Sequence, residues 1–374
     1  MNFIVSSTQL LNHLQAVSRV INSKNTMAIL DNFLFDLNEN TLTITASDVE
    51  TTMTTSFEVD SASGSGRIAV DAKRLTNILK EFPEQPLTFN MDNDSYNVDI
   101  VSENGKFSVL GLNGDDFPQV QDLQGDTCTV RMTAEVLQQG IVKSIFATST
   151  DELRPIMTGI FVEISQGKIK FVATDAHKLV CYSRADVQVE TDSSFILPQK
   201  PANLLKNILP KDDSPVNLSF DKKNAVVEFN EYKLVCRLIE GMYPNYQAVI
   251  PTDAPRKLTI DRLDLCNCLR RVSVFSNQAS NLIKLTITAN QLTVSAQDID
   301  FSISAHERVK CQYEGEDMEI GFKSTFLVEI LSNLACTDVV VNLSDSSRAG
   351  TFVPLEPTSV DEEVLMLLMP MMIN

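Results

Sequence analysis

The residues best suited to acid–base or nucleophilic chemistry are Asp175 and His177, two apart, with Ser183 or Ser149 as the nearest candidate nucleophiles. A carboxylate that orients an imidazole, which in turn deprotonates a serine, is a hydrolase arrangement. Two features of the sequence dissolve it. His13, His177 and His306 are the only histidines, and they fall in widely separated stretches. Asp175 also recurs as Asp48 and Asp298, each closing an alternating run, with no histidine two residues on. An aspartate repeated at the end of a strand is expected to cap a turn. Neither GxxxxGK[ST] nor GxGxxG is present, so nucleotide turnover has no support. The cysteines are seven and scattered, with no CxxC pair, and are expected to be reduced structural thiols. No catalytic residue, cofactor or metal is expected.

The elements that carry these aspartates repeat. Phe117-Pro118, Tyr243-Pro244 and Met369-Pro370 lie 126 residues apart in each step. In register with them run Leu42–Asp48, Ile169–Asp175 and Leu292–Asp298, each with apolar residues at period two. A second alternating stretch follows each one: Thr51–Val59, Leu179–Arg184 and Phe301–Val309. That pattern predicts strand, turn, strand. Helical windows occupy Ser7–Ile21, Thr133–Thr148 and Asp261–Ser276, with Ser6 or Ser7, Thr133 and Asp261 placed to cap them. A second set covers Asp71–Glu81, Pro198–Leu209 and Lys323–Leu334, and Pro83 and Pro210 stop the first two. Hairpins are expected at Asp92–Asp94, Asp221–Asn224 and Ser344–Gly350. The reading is an α+β fold of three repeated domains, 1–126, 127–253 and 254–374, each with two helices and about eight short antiparallel strands.

The formal net charge of −18 argues at first against a nucleic-acid partner. Resolved by element it does not. The six helical windows, the first extended to Lys24 and the fourth to Lys211, sum to +7, which leaves −25 on the strands and loops. Basic helices gathered on one surface would suit phosphate contact without base readout, giving sequence-independent, salt-sensitive binding. The N-terminus shows no secretory pattern, and no apolar run approaches a membrane span, so a cytoplasmic protein without a membrane partner is expected.

The threefold repeat, together with Asp116–Pro118 (DFP), Ala173–Leu179 (ATDAHKL), Tyr243–Tyr246 (YPNY), Glu319–Phe322 (EIGF) and Met369–Met371 (MPM), resembles the bacterial DNA polymerase beta sliding clamp family over the full length. The resemblance implies a head-to-tail homodimer closed into a six-domain ring, with helices lining the hole and sheets outside. Its implied partners are double-stranded DNA, the replicative polymerase, a clamp loader and other clamp-binding proteins. On the family pattern Lys24, Lys73, Arg74, Lys80 and Lys200 face DNA; helix placement adds Lys206, Arg270 and Arg271. The partner cleft maps to Arg154, Met157, Thr174, Ala176, His177, Lys178, Leu179, Pro244, Ala248, Val249, Leu367, Leu368, Met369, Pro370 and Met371. The subunit contact maps to Phe107 on one side and Val274 and Phe275 on the other.

Independently of the resemblance, Val364–Met372 (VLMLLMPMM) is uncharged and holds four methionines, which suits a surface that adapts to several partners. The bland alternative is an ordinary buried last strand. Departures from the family are specific. Aromatic residues are replaced by Pro155 and Ile156, Gly and Arg by Ala176 and Lys178, and Arg by Ala248 and Met372. A less basic, differently shaped cleft follows. The acidic cluster near the subunit contact is thin, reduced to Asp298, Asp300 and Glu307, so a more apolar contact is expected. The rival reading is an acidic repeat scaffold that binds proteins without DNA.

Overall fold

The computed structural model describes residues 1–121, 123–165, 167–189 and 191–373. Asp122, just before the expected boundary between 1–126 and 127–253, lies outside them. The order strand, helix, five strands, helix, three strands occurs three times, and the first repeat adds Leu112–Asn113. Each repeat therefore has at least nine strands rather than eight. The additional ones, Ser61–Ser63, Gln188–Val189 and Gln312–Glu314, are two or three residues long. Alternation cannot reveal a strand that short.

The helices are α1 (Ser7–Val17), α2 (Ala72–Lys80), α3 (Ala134–Ser144), α4 (Gln199–Ile208), α5 (Arg262–Ser273) and α6 (Ser324–Asn333). Side chains cap α1, α2 and α5: Ser6 accepts from Gln9 N–H, Asp71 from Arg74 N–H and Asp261 from Asp264 N–H. Such caps satisfy amides that have no partner inside the helix. α1 ends at Val17 and tightens into a 3-10 turn, Ser18–Val20, so Lys24 stands on an exposed loop and not on a helix. With these boundaries the helices carry 0, +3, 0, +2, +2 and −1, a total of +6. The segregation of charge survives the correction.

The chain packs as two compact units, Met1–Glu135 with Asn203–Leu238, and Val136–Ala202 with Ile239–Asn374. In the first, one sheet runs from the first repeat into the second: Gly66–Asp71, Asn32–Asn38, Thr41–Ser47, Thr51–Glu58, Tyr232–Arg237, Asn224–Phe229, Pro215–Phe220, Cys128–Thr133. The join is the antiparallel pairing of Thr51–Glu58 with Tyr232–Arg237, Met53 opposite Leu234. A second sheet ends on Lys106–Leu110. Beneath α1 and α2, Phe3 stacks on Phe89 at 5.0 Å and on Phe35 at 6.4 Å. All three rings are fully buried, and each contributes on the order of 1.5–3 kcal/mol.

The other unit repeats the device. Its nine-stranded sheet passes from the second repeat to the third where Lys178–Arg184 pairs with Glu362–Leu368, and its four-stranded sheet ends on Ile303–Lys310. α5 and α6 bury Leu265, Cys268, Leu269, Val272, Leu327, Ile330 and Leu331 in a core shared with Phe322, Phe352 and Met366. Gly140 lets α3 lie flat on Phe171, since a Cβ there would stand 2.3 Å from that ring. Among the described residues, no helix is long and apolar enough to cross a membrane.

Candidate functional site

The turn that closes the hairpin at Asp175 is built from its own side chains. Asp175 Oδ1 accepts from the amides of His177 and Lys178, both at 2.9 Å. Thr174 Oγ1 donates to Lys178 O at 2.7 Å and accepts from Ala176 N–H at 3.1 Å. Asp48 accepts from Glu50 and Thr51 amides, and Asp298 from Asp300 and Phe301 amides. The recurring aspartate is thus a turn cap in all three repeats. Burial pushes the thiols of Cys181, Cys236 and Cys268 up to about 11, 12 and 12, far from nucleophilic at neutral pH.

Around this turn the sheet presents an apolar floor. Leu179 lies opposite Leu367 and Lys178 opposite Leu368, and all three leucines are buried. Leu179 and Leu367 join Tyr243, Tyr246 and Ile156 in one cluster. Tyr243 stacks on Phe161 at 4.7 Å, and Tyr246 donates to Glu163 Oε2 at 2.7 Å. Pro244 is half-buried beside them. A 3-10 turn, Tyr246–Val249, leaves Ala248 and Val249 exposed. Another, Pro155–Met157, follows Arg154, whose Nε pairs with Asp151 at 2.8 Å and holds that carboxyl below its usual range.

The tail closes the other side. Glu362–Leu368 is a strand with Met366 buried, so part of the methionine-rich segment is core. Beyond it, Met369 N–H donates to His177 O and Met371 N–H to Gly321 O, each at 2.8 Å. Met369 remains 39% exposed and Met372 88%. Lys178 differs from the rest of the predicted cleft. Its side chain is 6% exposed and its ammonium meets Asp175 at 3.1 Å and Glu329 at 2.8 Å. Phe326 and Glu329 of α6, three apart and hence on one helix face, were not among the predicted site residues.

The basic residues divide between the units. Lys73, Arg74 and Lys80 stand exposed on α2 opposite its buried Ala72, Leu75 and Leu79, and Lys206 is half-buried on α4. In the other unit Lys200 is half-buried, and Arg270 is exposed and reaches Ser332 Oγ at 3.5 Å. Arg271 is already engaged: its Nε donates to Glu307 at 2.9 Å, and this pair holds the Glu307 carboxyl down.

Lys106–Leu110 and Ile303–Lys310 are outer strands of their sheets, paired on one side among the described residues. Apolar side chains gather at both. Phe107 is 41% exposed and Leu110 73%; Phe301 is 75% exposed and, at the end of α5, Val274 73% and Phe275 38%.

A chain of three repeats, with a sheet continuous across the join inside each unit and a turn capped the same way in each repeat, has the architecture of a clamp-type scaffold. Residues 1–121, 131–245 and 247–372 match the models of the N-terminal, central and C-terminal domains of the DNA polymerase III beta subunit. The beta sliding clamp of Synechocystis is 30% identical over 95% of this chain and 96% of its own, and that of Vibrio cholerae 26% over 99% of each. A Pseudomonas aeruginosa sliding clamp bound to griselimycin superposes with a TM-score of 0.94 at 25% identity over the whole of both chains. The griselimycin-bound clamp of Bartonella birtlesii gives 0.89 at 29%, again over both whole chains. The chain belongs to the DNA polymerase III beta subunit family. Its function is that of a DNA sliding clamp, a non-enzymatic processivity factor of replication.

Proposed function

We propose that two copies of this chain, each with clamp domains 1–126, 127–253 and 254–374, close head to tail into a ring around duplex DNA. Lys24, Lys73, Arg74, Lys80, Lys200, Lys206 and Arg270 face the phosphates, with Arg271 contributing less because Glu307 holds it. The observation that carries the reading is the pair of open sheet edges, Lys106–Leu110 and Ile303–Lys310, each bearing exposed apolar side chains. An unpaired apolar edge is a liability in a monomer and a template for a second chain. Phe107 on one edge and Val274 and Phe275 beside the other make a heterologous contact, which closes where the rotation fits.

In such a ring the tether is topological. Weak phosphate contacts leave sliding fast, and an intact duplex cannot be released. The replicative polymerase and other clamp-binding proteins dock a short peptide in the cleft between Leu179, Pro244, Val249 and Leu367–Met371. Two or three apolar anchors at about 1.5–3 kcal/mol each, less ordering costs, give roughly micromolar affinity, so partners exchange. Opening the ring falls to a separate clamp loader, in the cytoplasm. The test is retention: protein loaded on nicked circular DNA stays bound and runs off when the circle is linearised. Equal loss from both forms would remove the topological mechanism.

A further inference from the structure

Lys178 sits in the middle of the predicted cleft sequence, yet its ammonium is not presented to a ligand. The side chain is 6% exposed and lies 4.3 Å over the ring of Phe326 while bridging Asp175 and Glu329. Phe326 is held from two further directions. The His177 ring stacks on it at 5.9 Å, and Lys323 Nζ lies 4.5 Å from its centroid. The exposed wall of the cleft hangs on the same assembly: Met369 is bonded to His177 O, and Met371 to Gly321 O, two residues before Lys323. Gly321 admits that approach because a Cβ there would stand 2.7 Å from Met371 O.

We propose that Lys178, Phe326 and Glu329 are positioning residues for partner recognition, which bolt the 174–178 turn and the methionine tail to α6 without touching the partner. The inference rests on the cleft reading above. The ammonium end of the pair is buried while the Glu329 side chain is 47% exposed, so losing Glu329 leaves a buried charge with one carboxylate in place of two, a cost borne mainly on the Lys178 side. With Glu329 neutralised, Lys178 keeps only Asp175, the same residue that caps the turn. The turn then spends less time in the arrangement that aligns His177 and Met369. Apparent affinity falls in proportion to the competent fraction.

The experiment uses the full-length chain and the immobilised catalytic subunit of the same organism's replicative polymerase, read by surface plasmon resonance. Glu329→Gln is expected to weaken binding about tenfold, with dimer mass, DNA retention and thermal midpoint held. Phe326→Leu weakens it in the same direction. Lys178→Arg, which keeps the charge and can fork onto both carboxylates, stays within about threefold of wild type. Deleting residues 369–374 separates the two ideas. If that deletion abolishes binding and Glu329→Gln stays within about twofold, the cleft stands and the positioning role is overturned. If the deletion leaves binding intact, the cleft reading itself fails. A Glu329→Gln loss that tracks a fall in thermal midpoint and dimer mass also overturns the proposal, since it marks a purely structural pair.

Discussion

Replacing Ala176 by glycine should stabilise this protein, although most substitutions toward glycine do the opposite. Ala176 has φ of +75°, in the left-handed region, and is held there by the Thr174 and Asp175 side chains. An L-residue in that conformation costs about 1–2 kcal/mol. Glycine removes the clash and loses about 0.5–1 kcal/mol to the greater freedom of its unfolded chain. The methyl group is exposed, so little burial is forfeited. The net is about 0.5–1 kcal/mol in favour of Ala176→Gly, a twofold to fivefold slowing of local opening. Hydrogen exchange of the Lys178–Arg184 amides reads that opening directly. Gly167, at φ +74° with open space around its Cα, gives the reciprocal control: Gly167→Ala should lose a similar amount. Faster exchange in Ala176→Gly, or stabilisation by Gly167→Ala, would refute the strain argument.

Phe107→Asp should convert a species near 83 kDa into one of 41.5 kDa by light scattering, because it places a charge on an apolar edge; a retained dimer would show that this edge is not the contact. His13 is buried against Phe57, with Nδ1 2.9 Å from Thr55 Oγ1, and desolvation lowers its pKa from 6.5 against a smaller opposing pull from Glu231. The unfolded chain then takes up a proton below pH ~6.5 that the folded imidazole refuses, so stability is complete above that pH and falls below it, by at most about 1.4 kcal/mol per pH unit. Urea midpoints between pH 7.5 and 5 should show this slope in wild type and a flatter one in His13→Gln; identical slopes would exclude His13 as its source.

Much of the fold was legible because its signals are local and came three times. Period-two alternation, capping residues and Pro83 and Pro210 act within a few residues of the elements they define. The joins between repeats were not legible. Thr51–Glu58 meets Tyr232–Arg237, and Lys178–Arg184 meets Glu362–Leu368, across about 180 residues each, and such pairings leave no mark in either strand's own pattern. Charge was readable as a sum but not as a disposition. Arg271 reads as a free cation until Glu307 arrives from a strand 36 positions away, and Lys178 reads as a surface lysine until α6 covers it. Lys24 was misplaced for a different reason: the window ran on through polar residues after α1 had tightened at Ser18.

The same turn occurs at the join inside each unit, and that raises the question of why only one of them makes an apolar cleft. Backbone geometry does not distinguish them. Val49 has φ +82° where Ala176 has +75°, Ser47 supplies the hydroxyl that Thr174 supplies, and Arg237 N–H donates to Glu50 O as Met369 N–H donates to His177 O, at 2.8 Å in both. Register agrees as well: Thr52 faces Val235 as Leu179 faces Leu367. What differs is the lining. The first join borders a cavity of about 130 Å³ in which Val49, Val235 and Cys236 share the lining with Glu50, Thr52, Gln119, Gln121, Asn224 and Arg237, so polar and charged groups face any occupant. An apolar anchor seated there would strip water from amide and charged groups that it cannot hydrogen-bond, a cost of about 1–3 kcal/mol for each group left unsatisfied. At the second join the same anchor meets leucine, tyrosine and methionine. One or two such penalties cancel the 1.5–3 kcal/mol that the anchor gains. Between two turns that share hydrogen bonds and register, desolvation therefore makes the selection, and Thr52→Leu with Arg237→Met would be the minimal change that moves the first join toward the second.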